Sequence, residues 1–147
     1  MPLIDEAKTQ GVRLIVNLTA MGVEQDETFM LRVLEKYLEA SGIPFVHLRP
    51  NWFMQNFDSG PIFADIRATG AIHLPAGDAG LSFVDVRDVA AVACAAFTDH
   101  RNQGNAYTLT GVELTSGDRS CDRGRFRCSS RKPQSAPRFS CGDYPAG

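Results

Sequence analysis

The sequence lacks any long apolar run. The longest such stretch, Val89 to Phe97, is far shorter than the roughly 20 residues that a helix needs to cross a bilayer. The N-terminal segment PLIDEAKTQ has no apolar core of signal-peptide length and carries two acids. The formal net charge of -2 offers no general attraction to nucleic acid or anionic membrane. We therefore expect a cytoplasmic protein with neither a membrane nor a nucleic acid as partner.

Metal-ligating residues are few and scattered. The 4 cysteines include no CxxC pair, and the 3 histidines, His47, His73 and His100, stand far apart. Because zinc sites need ligands at short, regular spacings, we predict no metal site. Asp85 and Asp88 could form a carboxylate pair, but their spacing before an apolar helical run is typical of an N-cap and the third helical position.

The first 115 residues alternate between helical and strand patterns with short connections, which predicts an α/β fold with parallel strands. The predicted helices cover 2–10, 27–41, 63–68 and 86–98, and the predicted strands cover 12–18, 43–48, 71–74, 82–84 and 105–110. Glycines placed just after three of these helices predict left-handed C-caps. The apolar face of the helix over 27–41 is expected to include Met30, Leu31, Leu34, Tyr37 and Leu38.

The segment HLRPNWFMQNF, residues 47–57, ends an apolar strand and then places aromatic residues among amides. Such a mixture of aromatic and polar residues is typical of a small-molecule pocket with a flat apolar wall. A purely structural interpretation is that the aromatics cap the open end of a sheet. The sequence leaves both interpretations open.

The composition changes sharply near residue 116. Residues 116–147 contain 6 Arg and 1 Lys against 3 Asp, with few large apolar residues and no periodicity. We predict one folded unit over 1–115 and a disordered tail rich in Arg, Ser and Cys over 116–147. Such a tail can bind RNA or phosphate, but no aromatic platform accompanies it. A shifted reading frame after about residue 115 is a second hypothesis for the same change.

Three segments, LIVNLTAMGV, LEKYLEASGIPFVHLRPNWFMQNF and SFVDVRDVAAVACAAF, together closely resemble the NmrA-like, atypical branch of the short-chain dehydrogenase/reductase superfamily over residues 2–115. The resemblance implies a doubly wound, Rossmann-like sheet that binds NAD(P) at the carboxyl ends of its strands. That branch includes quinone- or azo-type reductases and nucleotide-sensing regulators without catalysis. The expected fold class is thus a partial doubly wound α/β sheet that lacks the N-terminal Gly-rich βαβ half.

Two departures from the superfamily pattern bear on activity. No G-x-x-G-x-x-G occurs, although the backbone amides of such a turn would hold the cofactor pyrophosphate. Glu27 and Leu31 stand where the classical Tyr-x-x-x-Lys pair would lie, so no catalytic residue is assigned. We predict weak or absent NAD(P) binding, and the residues that would choose NAD or NADP are not in the sequence.

The resemblance also implies particular site residues, at the ends of the first two strands and in the loop after the second. The cofactor would be met by Thr19, Ala20, Pro50, Asn51 and Trp52, and a flat apolar substrate by Phe53, Met54, Asn56 and Phe57. The Thr19 hydroxyl could polarise a substrate carbonyl, bond the nicotinamide carboxamide, or satisfy a local turn. Pro50 also has a structural role, because it ends strand pairing.

The expected function is that of an NmrA-like NAD(P)-dependent oxidoreductase of the quinone- or azo-reductase type, truncated and impaired in cofactor binding. The alternatives are a non-catalytic regulator that binds a nucleotide or a partner, and a gene fragment without function. With no strand before it, the apolar strand over 13–18 would be an unpaired edge through which another chain could associate.

Overall fold

The structure is a computed structural model that describes residues 1–70, 80–111 and 115–116. Helices and strands alternate along this part of the chain. The helices are α1 (Pro2–Thr9), α2 (Met30–Ser41), α3 (Gly60–Thr69) and α4 (Val86–Thr98). The strands are β1 (Ile15–Leu18), β2 (Phe45–Pro50), β3 (Trp52–Phe53), β4 (Gly80–Leu81), β5 (Phe83–Val84), β6 (Asn105–Leu109) and β7 (Thr115–Ser116).

The centre of the fold is a three-stranded parallel sheet in the order β1-β2-β6. Ile15 of β1 lies opposite Phe45 of β2, and Val46 lies opposite Asn105 of β6. This arrangement confirms the predicted α/β class with a partial Rossmann-like sheet. Within the described residues β1 pairs on one side only, so it is an edge strand. It begins at Ile15, later than the predicted strand over 12–18.

Two short strand pairs extend the fold beyond this sheet. β3 runs parallel to β5, and β4 runs antiparallel to β7, with Gly80 opposite Ser116. Ser116, the first residue of the predicted tail, is therefore part of a strand. The strand predicted over 71–74 and the remainder of the predicted disordered tail, residues 117–147, lie outside the described residues.

Helices cover both faces of the sheet, and β2 shows why. Successive side chains of a strand point to opposite faces. Val46 and Leu48 join a buried cluster with Val89 of α4, whereas Phe45 packs on the other side against a cluster that includes Leu38 of α2. Helix on sheet on helix is the layering of a doubly wound fold.

The amphipathic helix predicted over 27–41 forms as α2, with two corrections to its apolar face. Leu38 is fully buried, but Met30 and Tyr37 are 79% and 38% exposed. Both residues therefore lie outside the buried face of the helix. The Tyr37 hydroxyl donates a hydrogen bond to the carboxylate of Asp5 in α1. Gly42 ends the helix at φ +82, as its position predicted.

The start of α2 is also later than predicted, at Met30. The Asp26 carboxylate accepts hydrogen bonds from both the backbone N–H and the hydroxyl of Thr28, at 2.9 and 2.6 Å. A side chain that bonds the backbone two residues on stabilises a turn in competition with a helix. Residues 26–28 therefore stay outside α2.

The helix α4 begins as the sequence predicted. Asp85 is its N-cap, accepting the backbone N–H of Arg87 at 2.8 Å, and Asp88 is the third helical residue. The Asp85 carboxylate thus caps the helix, and Asp88 lies in the first turn, where the helix dipole favours a negative charge. No helix within the described ranges is both long and apolar enough to cross a membrane.

Candidate functional site

The candidate site is the carboxyl edge, the end of the sheet where β1, β2 and β6 stop and the chain continues at Thr19, Asn51 and Thr110. All three strands are parallel, so their last residues share this edge. In open α/β sheets, ligands bind in the crevice outside these strand ends. The cofactor residues implied by the resemblance, at positions 19–20 and 50–52, are brought together here.

Backbone hydrogen bonds continue past the strand ends at this edge. Thr19 N–H donates to the Leu48 carbonyl at 2.8 Å, and Met21 N–H donates to the Pro50 carbonyl at 2.9 Å. Asn51 N–H donates to the Leu109 carbonyl at 2.9 Å. Pro50 therefore does not end the pairing of β2 abruptly. Its carbonyl and the Asn51 N–H, which we expected to meet a cofactor, are already bonded within the protein.

The Thr19 hydroxyl faces a buried carboxylate that the sequence analysis did not identify. Thr19 is only 8% exposed, and its Oγ1 donates to Glu35 Oε1 at 2.7 Å. Glu35 lies on α2 and has no exposed surface. The hydroxyl is thus bonded to a neighbouring element, and not to the local turn that was one of the alternatives.

Arg49, the residue before Pro50, holds the same carboxylate from β2. Its Nε donates to Glu35 Oε1 at 3.0 Å and its Nη2 to Oε2 at 2.7 Å, a bidentate pair. Arg32 is a third donor, with one hydrogen bond from its Nη1 to Glu35 Oε2 at 3.0 Å. Glu35 therefore ties the ends of β1 and β2 to the helix that covers them.

The electrostatics of Glu35 result from two opposing effects. Burial raises the pKa of its carboxyl, but hydrogen bonds from Arg49, Thr19 and Arg32 lower the pKa by more than burial raises it. The net result is a pKa of about 2. The hydrogen bonds with Glu35 in turn raise the pKa of Arg49. Both groups are charged at neutral pH. A signal for this pair was present in the sequence, because an Arg inside an apolar strand needs an acidic partner.

His47 is buried next to this ion-pair network. It is 1% exposed, its Nδ1 lies 3.3 Å from Asn17 Nδ2, and its ring stacks on Phe45 with centroids 4.7 Å apart. Its Nε2 has no hydrogen-bond partner, and Glu39 Oε1 lies 3.4 Å away. Burial lowers the pKa of His47, against the effect of Glu35 and Glu39. The imidazole is neutral at pH 7.

Glu35, Glu39 and His47 bring ligand atoms within 4.8 Å of one another. Both oxygens of Glu35 already accept hydrogen bonds from guanidinium groups, and Arg32 and Arg49 place two positive charges beside the cluster. A divalent cation would have to displace these bonds against that charge. The three residues do not fit a metal site and are better described as part of an ion-pair network.

The large apolar side chains predicted to bind cofactor (Trp52) or substrate (Phe53, Met54 and Phe57) divide into two groups. Phe53 packs against the buried cluster under α4, and Phe57 contacts Phe83 with ring centroids 4.9 Å apart. Both side chains are half-buried, so these contacts fit the structural alternative, and their predicted substrate-binding role stays a prediction. Trp52 is half-buried in β3, and Met54 is 47% exposed.

The amides of the same segment are also used differently from one another. Asn51 Nδ2 donates to Ser82 Oγ at 3.0 Å. Gln55 bridges to the start of α4, donating to Asp85 Oδ1 and accepting the Val86 N–H, both at 3.1 Å. Asn56, the polar group that we assigned to the substrate, is half-buried beside them. The loop after β2 is therefore anchored to the strand and helix that follow it in the fold.

Gly111 follows β6 at the same edge, where the backbone of β5 approaches it closely. A Cβ atom on Gly111 would lie 2.0 Å from the Phe83 carbonyl oxygen. Only glycine fits this approach without a shift of the backbone. The close contact fixes the end of β6 against β5.

Comparison with known proteins supports the same assignment of fold. The chain is 39% identical over 112 residues to a (4-alkanoyl-5-oxo-2,5-dihydrofuran-3-yl)methyl phosphate reductase of Streptomyces griseus, covering 73% of this chain and 39% of that protein. It is 35% identical over 120 residues to an NAD(P)H azoreductase of Xenophilus azovorans, covering 78% and 41%. The chain thus spans about two fifths of the length of these relatives.

Solved structures show the same partial coverage. An NADPH-dependent quinone oxidoreductase from Escherichia coli, solved with NADPH, superposes with a TM-score of 0.63 at 26% identity, over 78% of this chain and 41% of that one. A triphenylmethane reductase from Citrobacter shares the fold, with a TM-score of 0.61 at 20% identity over 78% and 41% of the two chains. The profile of the NmrA-like family matches residues 31–121, and this chain belongs to the NmrA-like family.

Proposed function

We propose that this chain supplies the nicotinamide- and substrate-facing edge of an NAD(P)H-dependent reductase of the quinone- or azo-reductase type. The observation that carries the proposal is the convergence of Thr19, Asn51 and Trp52 at the carboxyl edge of a parallel sheet. The identity to an azoreductase and the likeness to a quinone oxidoreductase point to the same reaction class.

The residues present fit one end of a dinucleotide better than the other. The carboxyl edge offers a buried hydroxyl at Thr19 and a part-exposed indole at Trp52, which suit a nicotinamide ring. The pyrophosphate would need the Gly-rich turn that this sequence does not contain. We therefore propose that the isolated chain binds NAD(P) weakly.

When bound, NAD(P)H supplies the hydride, so the chain need not contribute covalent chemistry. Its own residues would orient the ring and exclude water from one side of the site. Trp52, Met54 and Asn56 retain exposed surface and would meet a flat apolar substrate. Phe53 and Phe57 would support that surface, since Phe53 packs against the buried cluster and Phe57 against Phe83.

A nucleotide-sensing regulator without catalysis is the second candidate. The sequence has no Tyr-x-x-x-Lys pair, and the Thr19 hydroxyl already donates its hydrogen to Glu35, so neither of these groups is available to donate a proton to a substrate. A chain that binds the nucleotide but reduces nothing would have these features. A gene fragment without function is the remaining alternative, in which neither binding nor turnover occurs.

One titration separates these candidates. Trp52 is the single tryptophan of the chain and lies at the carboxyl edge, so its fluorescence should report a nicotinamide bound nearby. We expect quenching by NADH or NADPH and a smaller response to ADP-ribose, which lacks the nicotinamide. No response at millimolar dinucleotide would exclude the reductase and the sensor together.

If binding is observed, oxidation of the cofactor in the presence of a quinone or an azo dye distinguishes the reductase from the sensor. A Trp52→Phe variant confirms that the signal comes from Trp52, and free tryptophan titrated with the same dinucleotide controls for inner-filter absorption. Turnover that requires the folded chain supports the reductase. Binding without turnover supports the sensor.

A further inference from the structure

Glu35 determines how the Thr19 hydroxyl can be used at the carboxyl edge. Thr19 Oγ1 lies 2.7 Å from Glu35 Oε1, and an ionised carboxylate only accepts hydrogen bonds. The single hydroxyl hydrogen must therefore lie on this bond. What Oγ1 can still offer to a ligand is a lone pair.

The orientation of the Thr19 O–H bond is fixed by its buried surroundings. Glu35 is fully buried, and two of the groups that hold it, Arg32 and Arg49, are themselves only 15% and 13% exposed. Turning the hydroxyl toward a ligand would remove one donor from a carboxylate that has no exposed surface, a loss that is costly for a buried charge. The Thr19 hydroxyl therefore continues to donate its hydrogen to Glu35 when a ligand binds.

Several backbone N–H groups at this edge are likewise bonded within the protein. The N–H groups of Thr19, Met21 and Asn51 all donate to carbonyls of the sheet. The Asn51 amide nitrogen also donates inward, to Ser82. Three backbone donors at this edge and one N–H of the Asn51 amide are thus already used within the protein, and the Thr19 side chain itself offers a ligand only an acceptor.

The two ligand contacts that the sequence left open for Thr19 require opposite polarities. Polarising a substrate carbonyl requires a hydrogen-bond donor, whereas binding the nicotinamide carboxamide through its NH2 group requires an acceptor. We infer that Thr19 Oγ1, oriented by Glu35, accepts a hydrogen bond from the carboxamide N–H of the cofactor and does not polarise a substrate carbonyl. The inference rests on the proposed function, and it makes Glu35 a positioning residue.

A cofactor analogue tests this polarity directly. In 3-acetylpyridine adenine dinucleotide phosphate, a methyl ketone replaces the carboxamide, so the N–H donors are lost and the carbonyl is kept. We expect the wild-type chain to bind NADP+ roughly 3- to 10-fold more tightly than this analogue, the range of one hydrogen bond. Thr19→Val should abolish the preference by weakening NADP+ binding alone, and Thr19→Ser should retain it.

Three results would overturn the inference. An equal preference in the wild type and Thr19→Val would show that Thr19 does not contact the carboxamide. A loss of affinity for the analogue in Thr19→Val would indicate a donor to the carbonyl. Binding of neither dinucleotide by the wild type overturns the proposed function and this inference with it. Thr19→Ala, checked with Thr19→Val for a wild-type circular dichroism spectrum, provides a second hydroxyl-free variant if Thr19→Val does not fold.

Discussion

The guanidinium of Arg49 donates two hydrogen bonds to the carboxylate of Glu35, at 3.0 and 2.7 Å, and this pair fastens the end of β2 to α2. The same carboxylate accepts the hydroxyl of Thr19 at the end of β1. One buried acid thus fixes the spacing of two strand ends at the carboxyl edge. Any ligand that spans these two ends meets a preset geometry.

Replacing Glu35 by Ala should destabilise the chain strongly. The substitution would leave Arg49 largely buried with only the 3.4 Å contact to Glu24, and breaking a buried ion pair from one side typically costs about 3 kcal/mol or more. Glu27→Ala is the matched control, because Glu27 is 57% exposed and ion pairs screened by solvent contribute little to stability. Urea unfolding monitored by circular dichroism measures both, and equal losses in the two variants would contradict a special role for Glu35.

The stability of the chain should fall as the pH drops below about 6.5, because of His47. Its folded pKa is depressed by burial, while Glu35 and Glu39 act to raise it and Arg49 to lower it. A depressed pKa means that the unfolded chain takes up the proton first, so the stabilisation present above about 6.5 is lost on acidification toward the folded pKa.

The measurement is the free energy of unfolding at several pH values between 7.5 and 5.5. For one such group the slope reaches at most about 1.4 kcal/mol per pH unit. His47→Gln should remove most of this slope, and His100→Gln, at an exposed position, should retain it. A slope that survives His47→Gln would assign the effect to other groups.

Gly111→Ala should destabilise the chain through steric overlap alone. The added Cβ would lie 2.0 Å from the Phe83 carbonyl oxygen, and overpacking of this kind typically costs about 1–3 kcal/mol. Thr110→Ala, at the exposed neighbouring residue, is the control and should change stability by less than about 0.5 kcal/mol. Thermal unfolding of the two variants compares them, and a Gly111→Ala variant as stable as the control would mean that β5 moves aside freely.

We propose that the exposed edge of β1 promotes association between chains. Leu18, the last residue of β1, is 52% exposed, and an unpaired apolar edge strand favours pairing with another chain. A charge on the edge should oppose this, so Leu18→Lys should shift the sedimentation profile toward monomer. Leu3→Lys, on α1 and 82% exposed, is the matched control. If both variants behave alike, general surface hydrophobicity and not the edge explains the association.

The elements of the fold could be predicted because their signals are local. Leu34 and Leu38 at helical spacing, and the glycine that follows α2, needed no tertiary information. The pairing of Glu35 with Arg49 and Thr19 could not be read in the same way, because it depends on which face of α2 lies on β2. The helical period places Glu35 beside apolar residues without showing that two strand ends reach it.

The aromatic segment shows a second limit of sequence reasoning. Phe53 and Phe57 have the composition typical of a pocket wall, yet Phe53 packs against the buried cluster and Phe57 packs against Phe83. Whether an aromatic residue lines a pocket or fills a core depends on what the rest of the fold places over it. That information lies in β5 and α4, far along the chain.

The alternation of β2 makes the tolerance of this strand to mutation depend on whether a residue number is odd or even. The even positions Val46 and Leu48 lie in an apolar layer beneath α4, whereas the odd positions His47 and Arg49 lie beside the carboxylates of Glu39 and Glu35 beneath α2. The two faces of β2 therefore have surroundings of different polarity. An apolar substitution that is mild at one position should be severe one residue further along.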